Sequence, residues 1–164
     1  MATTPERNNK LVAWAVSAVV AAAVALMILF FGAGLARAGD GGMLDAANAE
    51  RAKNGCPAWV SNPGLQAAAQ SHADDIMQNG TKDGHTGSDG STPGSRAAAN
   101  GWTGSSIGEI QAGGGGSASP QAAIDAWSQD GHRNAFTDCT TTDAGAVYTT
   151  DGTKWTAVIT AGAR

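Results

Sequence analysis

Three histidines and one glutamate are the side chains of this chain with the clearest capacity for chemistry. His85 lies in Asp83-Gly84-His85-Thr86-Gly87-Ser88-Asp89-Gly90-Ser91, a polar run with no apolar anchor, which by composition is a flexible loop. His132 also sits beside glycine, in Gly131-His132-Arg133. Imidazoles so placed serve as general bases, proton carriers or metal ligands. Glu109, between Gly108 and Ile110 on a weak candidate strand, is an odd choice for a core layer. A buried carboxylate needs partners, and two loop histidines can supply them. His72 differs, since it shares a helical stripe with Ala68, Ala69 and Ile76 and reads as a hydrogen-bonded histidine at the edge of the core. Ser88, Ser91, Ser95 and Ser128 are the hydroxyls that could partner a histidine with Glu109 orienting it, but no G-x-S-x-G elbow presents any of them.

The elements that must position these groups are legible in outline. Met43 to Asn54 reads as a helix, and Cys56 to Val60 as an extended link with Trp59 as a buried plug. A second helix starts at Asn62-Pro63, carries Leu65, Ala68, Ala69, His72 and Ile76 on one stripe, and stops at Asn79-Gly80. After the polar loop comes a short Ala-rich helical turn over residues 96–100, then a weak strand over 106–112 and a flexible tetraglycine loop over 113–116. Ser119-Pro120 opens a third long helix, with Ala123, Ile124 and Trp127 as its apolar stripe. The chain closes with a hairpin, Ala144 to Thr150 and Lys154 to Ala161 about an Asp151-Gly152 turn. This order predicts an α+β layered fold.

Composition narrows the class of function. From Leu11 to Leu35 the chain has 25 residues without a charge, preceded by Arg7 and Lys10 and followed by Ala36-Arg37-Ala38. The run is long enough to span a bilayer, and the A-x-A triplet reads as a cleavage site. Residues 1–38 are therefore read as a signal peptide or membrane anchor, 39–42 as a linker, and 43–164 as one exported domain. The domain is secreted or held at the outer face of the cytoplasmic membrane, anchored through residues 11–35 if uncleaved. Residues 39–164 hold 13 acidic and 7 basic residues, net −6, with no basic cluster, so nucleic acid is not an expected partner. Cys56 and Cys139 are the two cysteines, and in an oxidising compartment they read as a disulfide, with two unrelated buried thiols as the alternative. No Walker motif, dinucleotide fingerprint or C-x-x-C is present. Asn79-Gly80-Thr81 matches a glycosylation sequon and is read as accidental.

An ordered set of residues resembles the CAP superfamily, the SCP domain of cysteine-rich secretory, antigen 5 and pathogenesis-related 1 proteins. The set runs Asn48-x-x-Arg51, Leu65 to Ile76, Gly84-His85-Thr86-Gly87-Ser88-Asp89-Gly90-Ser91, Arg96, Gly101, Gly108-Glu109, Trp127, Gly131-His132-Arg133, Gly145 and Trp155-Thr156. It is most similar to a short bacterial branch. The resemblance implies an α-β-α sandwich with a small antiparallel sheet and a cleft bearing two histidines and two acidic residues. His85, Glu109 and His132 match three of those four. Two imidazoles and a carboxylate are a plausible shell for a divalent ion such as Zn²⁺. Asp130, three residues after Trp127 in a motif one residue shorter than usual, is either the second acidic member or an ordinary loop residue. Ile110 stands where the family has an asparagine.

Three functions are open on these grounds. The first is a binding module using the His/Glu cleft for a divalent metal, a lipid-like ligand or a cell-envelope partner. The second is a hydrolase of peptides or esters, metal-dependent or serine-type. The third is a structural envelope protein whose histidines only satisfy Glu109.

Overall fold

The computed structural model describes residues 42–80 and 84–164. The expected signal or membrane segment, and the linker apart from Gly42, lie outside the described residues. No helix among those described is long and apolar enough to cross a membrane.

Helix α1 spans Met43–Lys53 and buries Met43, Leu44, Ala47 and Arg51 on one side. Strand β1, Val60–Ser61, follows, and helix α2, Pro63–Asn79, starts where the Asn62 side chain accepts from the Gly64 and Leu65 amides. The cap and the N-terminal proline satisfy a helix start with no competing use for the proline's missing N–H. Helix α3 spans Pro93–Ala99 behind a reciprocal Thr92/Ser95 capping box, and strand β2 spans Ser105–Gly115. Helix α4, Pro120–Gln129, is capped by Ser119 and leads through a 3₁₀ turn at Gly131–Arg133 to the short α5, Asn134–Thr137. Strands β3, Asp143–Thr150, and β4, Lys154–Ala163, form the closing hairpin.

The four strands lie in the order β1-β3-β4-β2, antiparallel except that β1 runs parallel to β3. Alternation along the strands sends side chains to opposite faces. On one face Ile110, Ala146 and Ile159 pack with Trp59, Trp127 and Phe136 from the α1, α4 and α5 side. On the other, Val147 and Val158 pack on Ala69 and Ala73 of α2, and Ile107 on Leu65, Ala97 and Trp102. The result is helices on both faces of a mainly antiparallel sheet, the α-β-α sandwich expected.

Two local readings need correction. Residues 113–115 are not a loop but the end of β2, where Gly113 faces Thr156 and a Cβ would lie 2.9 Å from the Trp155 carbonyl oxygen. At Gly113 β4 runs too close for a side chain, a tertiary demand that local composition does not reveal. The link before α2 also contributes β1, through Val60 N donating to Thr142 O and Asn62 N to Ala144 O. Trp59 is buried beside it as expected.

Cys56 and Cys139 form a disulfide across 83 residues. In the chain-entropy account a loop of that length is worth roughly 4 kcal/mol. The same corner is held by Arg51, fully buried, whose guanidinium donates to the carbonyls of Pro57, Ala135, Asp138 and Thr141 and lies 4.2 Å from the Trp59 ring centre. Arg51 thus belongs to the buried stripe as a carbonyl clamp that ties α1 to the disulfide loop.

Helix α2 crosses β3 at Gly145, where a Cβ would lie 2.1 Å from the Gln66 amide nitrogen. Backbone cannot swing aside as a flexible side chain can. Gly145→Ala should therefore cost about 3 kcal/mol or more in denaturant unfolding, at the top of the usual range for overpacking. Gly94→Ala, in α3 with open space at its Cβ, should be neutral or slightly stabilising. Equal effects at the two positions would contradict the close approach.

Candidate functional site

The site is built around Glu109, whose side chain is 1 % exposed. A β-bulge at Ser106, where φ is 51°, precedes it and sets the alternation of β2. Beyond the bulge Glu109 shares its face with Ile107, so its carboxylate points toward α2 and α3. There Arg96 Nη2 donates to Oε1 at 3.0 Å and to Oε2 at 2.9 Å. His85 Nδ1 lies 3.1 Å from Oε1, and Thr160 Oγ1 donates to Oε2 at 3.1 Å. His72 Nε2 is 3.5 Å from Oε1 and 3.0 Å from the Gly84 carbonyl. Both neighbours of that nitrogen are acceptors, so Nε2 carries a hydrogen.

Arg96 reaches further than Glu109. Its Nη2 also donates to the His85 carbonyl, and its Nη1 to the Ser91 carbonyl at 3.0 Å. One guanidinium therefore holds the carboxylate and both ends of the histidine loop. The loop has a second anchor in Asp75 of α2, which accepts from Ser88 N at 2.7 Å, Ser88 Oγ at 2.5 Å and Asn79 Nδ2 at 2.8 Å. The Ser88 hydroxyl, first among these donors, holds the Asp75 carboxyl down at about 2. Such bonds favour the ionised form. The polar run is thus a pinned loop, and its glycines serve turns: Gly84 and Gly90 both have positive φ.

The structure joins His85 to Glu109 by a hydrogen bond, whereas His132 and Glu109 line one cavity with no hydrogen bond or ion pair between them among the described residues. His132 Nδ1 lies 2.8 Å from Asp130 Oδ1, and both side chains are about half exposed. The backbone amide of His132 donates to the same Asp130 oxygen, so the shortened motif closes as a local Asx turn. His132 lines a cavity with Trp59, Ile110 and Ile159 that Glu109 also borders, but the Glu109 carboxylate is taken up by Arg96, His85 and Thr160.

A divalent metal ligated by His85, Glu109 and His132, with Asp130 as the fourth ligand, does not fit this arrangement. Both Glu109 oxygens are engaged by Arg96, His85 and Thr160, and His132 Nδ1 is engaged by Asp130. Among the described residues no three His, Cys, Asp or Glu side chains are grouped to hold a metal ion. The serines do not form a nucleophile–base pair either. The hydroxyls of Ser88, Ser95 and Ser128 donate to Asp75, the Thr92 carbonyl and the Ile124 carbonyl, and Ser91 Oγ accepts from Arg96.

Beside His132 lies a cavity of about 340 Å³. Trp59, Ile110, Ile159 and Ala161 give it an apolar wall, and Glu109, His132, Asp138 and Thr141 also line it. Trp59 Nε1 donates to Thr141 Oγ1 at 2.8 Å, which fixes the indole in the wall. Sequence reasoning missed three members of the Glu109 cluster, Arg96, His72 and Thr160, the last never singled out. Arg96 stood out only through the resemblance, and His72, read as a helix histidine with a hydrogen bond, has that bond but also borders the carboxylate. The signal for both was available in principle, since a buried glutamate demands a cation.

Comparison with known proteins bears on this fold and site together. Residues 44–161 match the family model described as CAP, the cysteine-rich secretory protein family. The chain belongs to that family. Among solved structures it is similar to an extracellular protein containing an SCP domain from Bacillus anthracis, with TM-score 0.63 and 20 % identity over 74 % of this chain and 39 % of that one. It is also similar to an outer surface protein from Borrelia burgdorferi, with TM-score 0.62 and 20 % identity over 74 % and 90 % of the two chains. A cysteine-rich secretory protein from Staphylococcus aureus gives TM-score 0.54 and 13 % identity over 72 % of this chain and 36 % of that one. The chain thus spans well under half the length of the first and third of these. No curated protein matches.

Because the Asp75 carboxyl is held at about 2 in the fold against an ordinary 3.8, its contribution is complete above pH 3.8 and is lost as pH falls through 2. The Ser88 amide should therefore be protected from hydrogen exchange at pH 5 and lose that protection on acidification toward pH 2, before the core strands do. Asp75→Asn should remove the acid-dependent step. Protection at Ser88 that persists unchanged in the variant would contradict the anchor.

Proposed function

We propose that the chain is an exported binding module whose ligand enters the cavity beside His132. The observation that carries this reading is the pairing of an apolar wall with polar groups in one concave site of about 340 Å³. That combination suits a small amphiphile, with an alkyl part against Trp59, Ile110 and Ile159 and a polar head at His132. Glu109 also borders this cavity, but Arg96, His85 and Thr160 take up its carboxylate, so it serves as the support that fixes the edge strand and no chemical step is assigned to it. Export is supported by the Cys56–Cys139 disulfide, by the uncharged run from Leu11 to Leu35 and by the extracellular and outer-surface character of the similar proteins. A lipid or another cell-envelope component is accordingly the expected partner. The hydrolase reading has no observation in its favour, because the four serine hydroxyls make other bonds.

Residues 39–164 form one compact unit, and calorimetric titration of that unit with laurate tests the reading. Saturable binding is expected, unchanged by Zn²⁺ or by a chelator. Ala161→Leu, which fills the cavity, should weaken binding by at least about tenfold, as expected for losing roughly 1.4 kcal/mol of contact. Absence of binding to the wild type, or equal binding to the filled variant with native circular dichroism, would overturn it.

A further inference from the structure

Strand β2 forms one edge of the sheet, since β4 is its single strand neighbour. The ladder tells which of its backbone groups face outward. Gly116 N donates to Thr153 O, one step beyond the Gly115–Lys154 pair, so Gly116 turns its amide toward β4. Antiparallel pairing alternates residue by residue. Ala112 and Gly114 therefore also face β4, while Gln111, Gly113 and Gly115 direct N–H and C=O away from it. Two side-chain bonds agree: Thr156 Oγ1 of β4 donates to the Ala112 carbonyl, and Trp127 Nε1 of α4 donates to the Gln111 carbonyl.

Beyond Gln111 this edge is open. Gly113, Gly114 and Gly115 are exposed, and the outward backbone groups of Gly113 and Gly115 have no partner among the described residues. Natural sheets guard such edges with Lys, Pro or a bulge. Strand β2 has its bulge at Ser106, at the opposite end, and its one charged residue, Glu109, spends its carboxylate on Arg96.

A row of unpaired donors and acceptors is matched by another extended backbone, with pockets beside the edge selecting alternate side chains. Gly113 and Gly115 share a sheet face with Thr156 and Lys154, the residues they pair with. On that face a concavity of about 290 Å³ is bounded by Ile76 and Met77 of α2 together with Gly113, Thr156 and Lys154. Ile76 and Met77 are half-buried and offer apolar surface, and Lys154, exposed, is the one charged residue of the lining.

We propose that the outer edge of β2 over residues 113–115 is a docking site for an extended acidic peptide of a partner protein, added antiparallel as a fifth strand. The peptide residue opposite Gly113 carries an apolar side chain to Ile76 and Met77. The residue opposite Gly115, two positions earlier in the peptide, carries a carboxylate to Lys154. The surface stands apart from the cavity beside His132, so either assignment can fail alone.

The test is a nuclear magnetic resonance titration of the full chain in a non-ionic detergent with the blocked peptide Thr-Thr-Glu-Thr-Leu-Thr-Thr. Saturable shifts and slowed hydrogen exchange are expected at the Gly113 and Gly115 amides, while the Trp59 indole and the His132 ring stay unmoved. The reordered peptide Thr-Thr-Thr-Glu-Leu-Thr-Thr, which sends Glu and Leu to opposite faces, should bind about tenfold more weakly. Gly115→Pro removes one outward N–H at a position where a Cβ would meet only the Thr153 carbonyl oxygen, at 4.0 Å. It should weaken binding by about tenfold, whereas Gly115→Ala should bind as the wild type does. Lys154→Gln should abolish the advantage of Glu over Gln in the peptide. The proposal is overturned if the first peptide does not bind saturably, if it binds without slowing exchange at Gly113 and Gly115, or if the two peptides bind equally. It is overturned equally if Gly115→Pro, natively folded, binds as the wild type does, or if self-association of the chain protects the same two amides without peptide, which would make a second copy the occupant.

Discussion

Glu109 carries a charge where almost no water reaches it, and much of the fold's second face follows from how that charge is met. Isolated burial of a carboxylate is prohibitive, so the fold must bring a cation and hydrogen-bond donors to it. Arg96 on α3 is the cation, with 4 % of its side chain exposed. Thr160 on β4 and His85 from the loop complete the shell. Removing the charge of Glu109 while keeping its shape would leave Arg96 buried without a counter-ion, a loss that elsewhere costs about 3–5 kcal/mol. The edge strand, the helix after the loop and the loop itself are therefore not independent. They share one ion pair.

The ion pair also explains why a run of Gly, Ser, Thr and Asp holds one conformation. Its apolar content is nil, and hydrophobic burial cannot fix it. Arg96 bonds the carbonyls of His85 and Ser91, and Asp75 bonds the Ser88 amide and hydroxyl, so polar contacts replace the missing core. On the far side of the sheet the device is different. There Arg51 collects four carbonyls and the Cys56–Cys139 disulfide closes the corner, which frames the cavity beside His132. Two arginines, one against a carboxylate and one against carbonyls, thus fix the two faces.

What was legible in the sequence had local causes. The Asn62-Pro63 start of α2, the Ser119-Pro120 start of α4 and the Asp151-Gly152 turn each declare themselves within a few residues, and all three hold. The ordered set of motif residues carried the family across the remaining gaps. What was not legible depended on contacts between distant segments. Gly113 to Gly115 continue a strand because Thr156, Trp155 and Lys154 of β4 are there to pair, and Val60 and Ser61 become a strand because β3 is there to pair. The site divides in the same way. The link from His85 to Glu109 was inferred from the oddness of a glutamate on a core strand, and the geometry has it. The same reasoning, and the family order, grouped His132 with them, but neither says which hydrogen-bond partners a side chain takes, and His132 bonds Asp130 instead.

The account stands or falls on the coupling between Arg96 and Glu109. A double-mutant cycle with Arg96→Met, Glu109→Leu and the pair, followed by denaturant unfolding, measures it directly. The account predicts that each single variant is strongly destabilised, since each strands one buried charge, and that the double variant recovers at least about 2 kcal/mol relative to the sum of the two. Additive losses, with no coupling between the two positions, would contradict it.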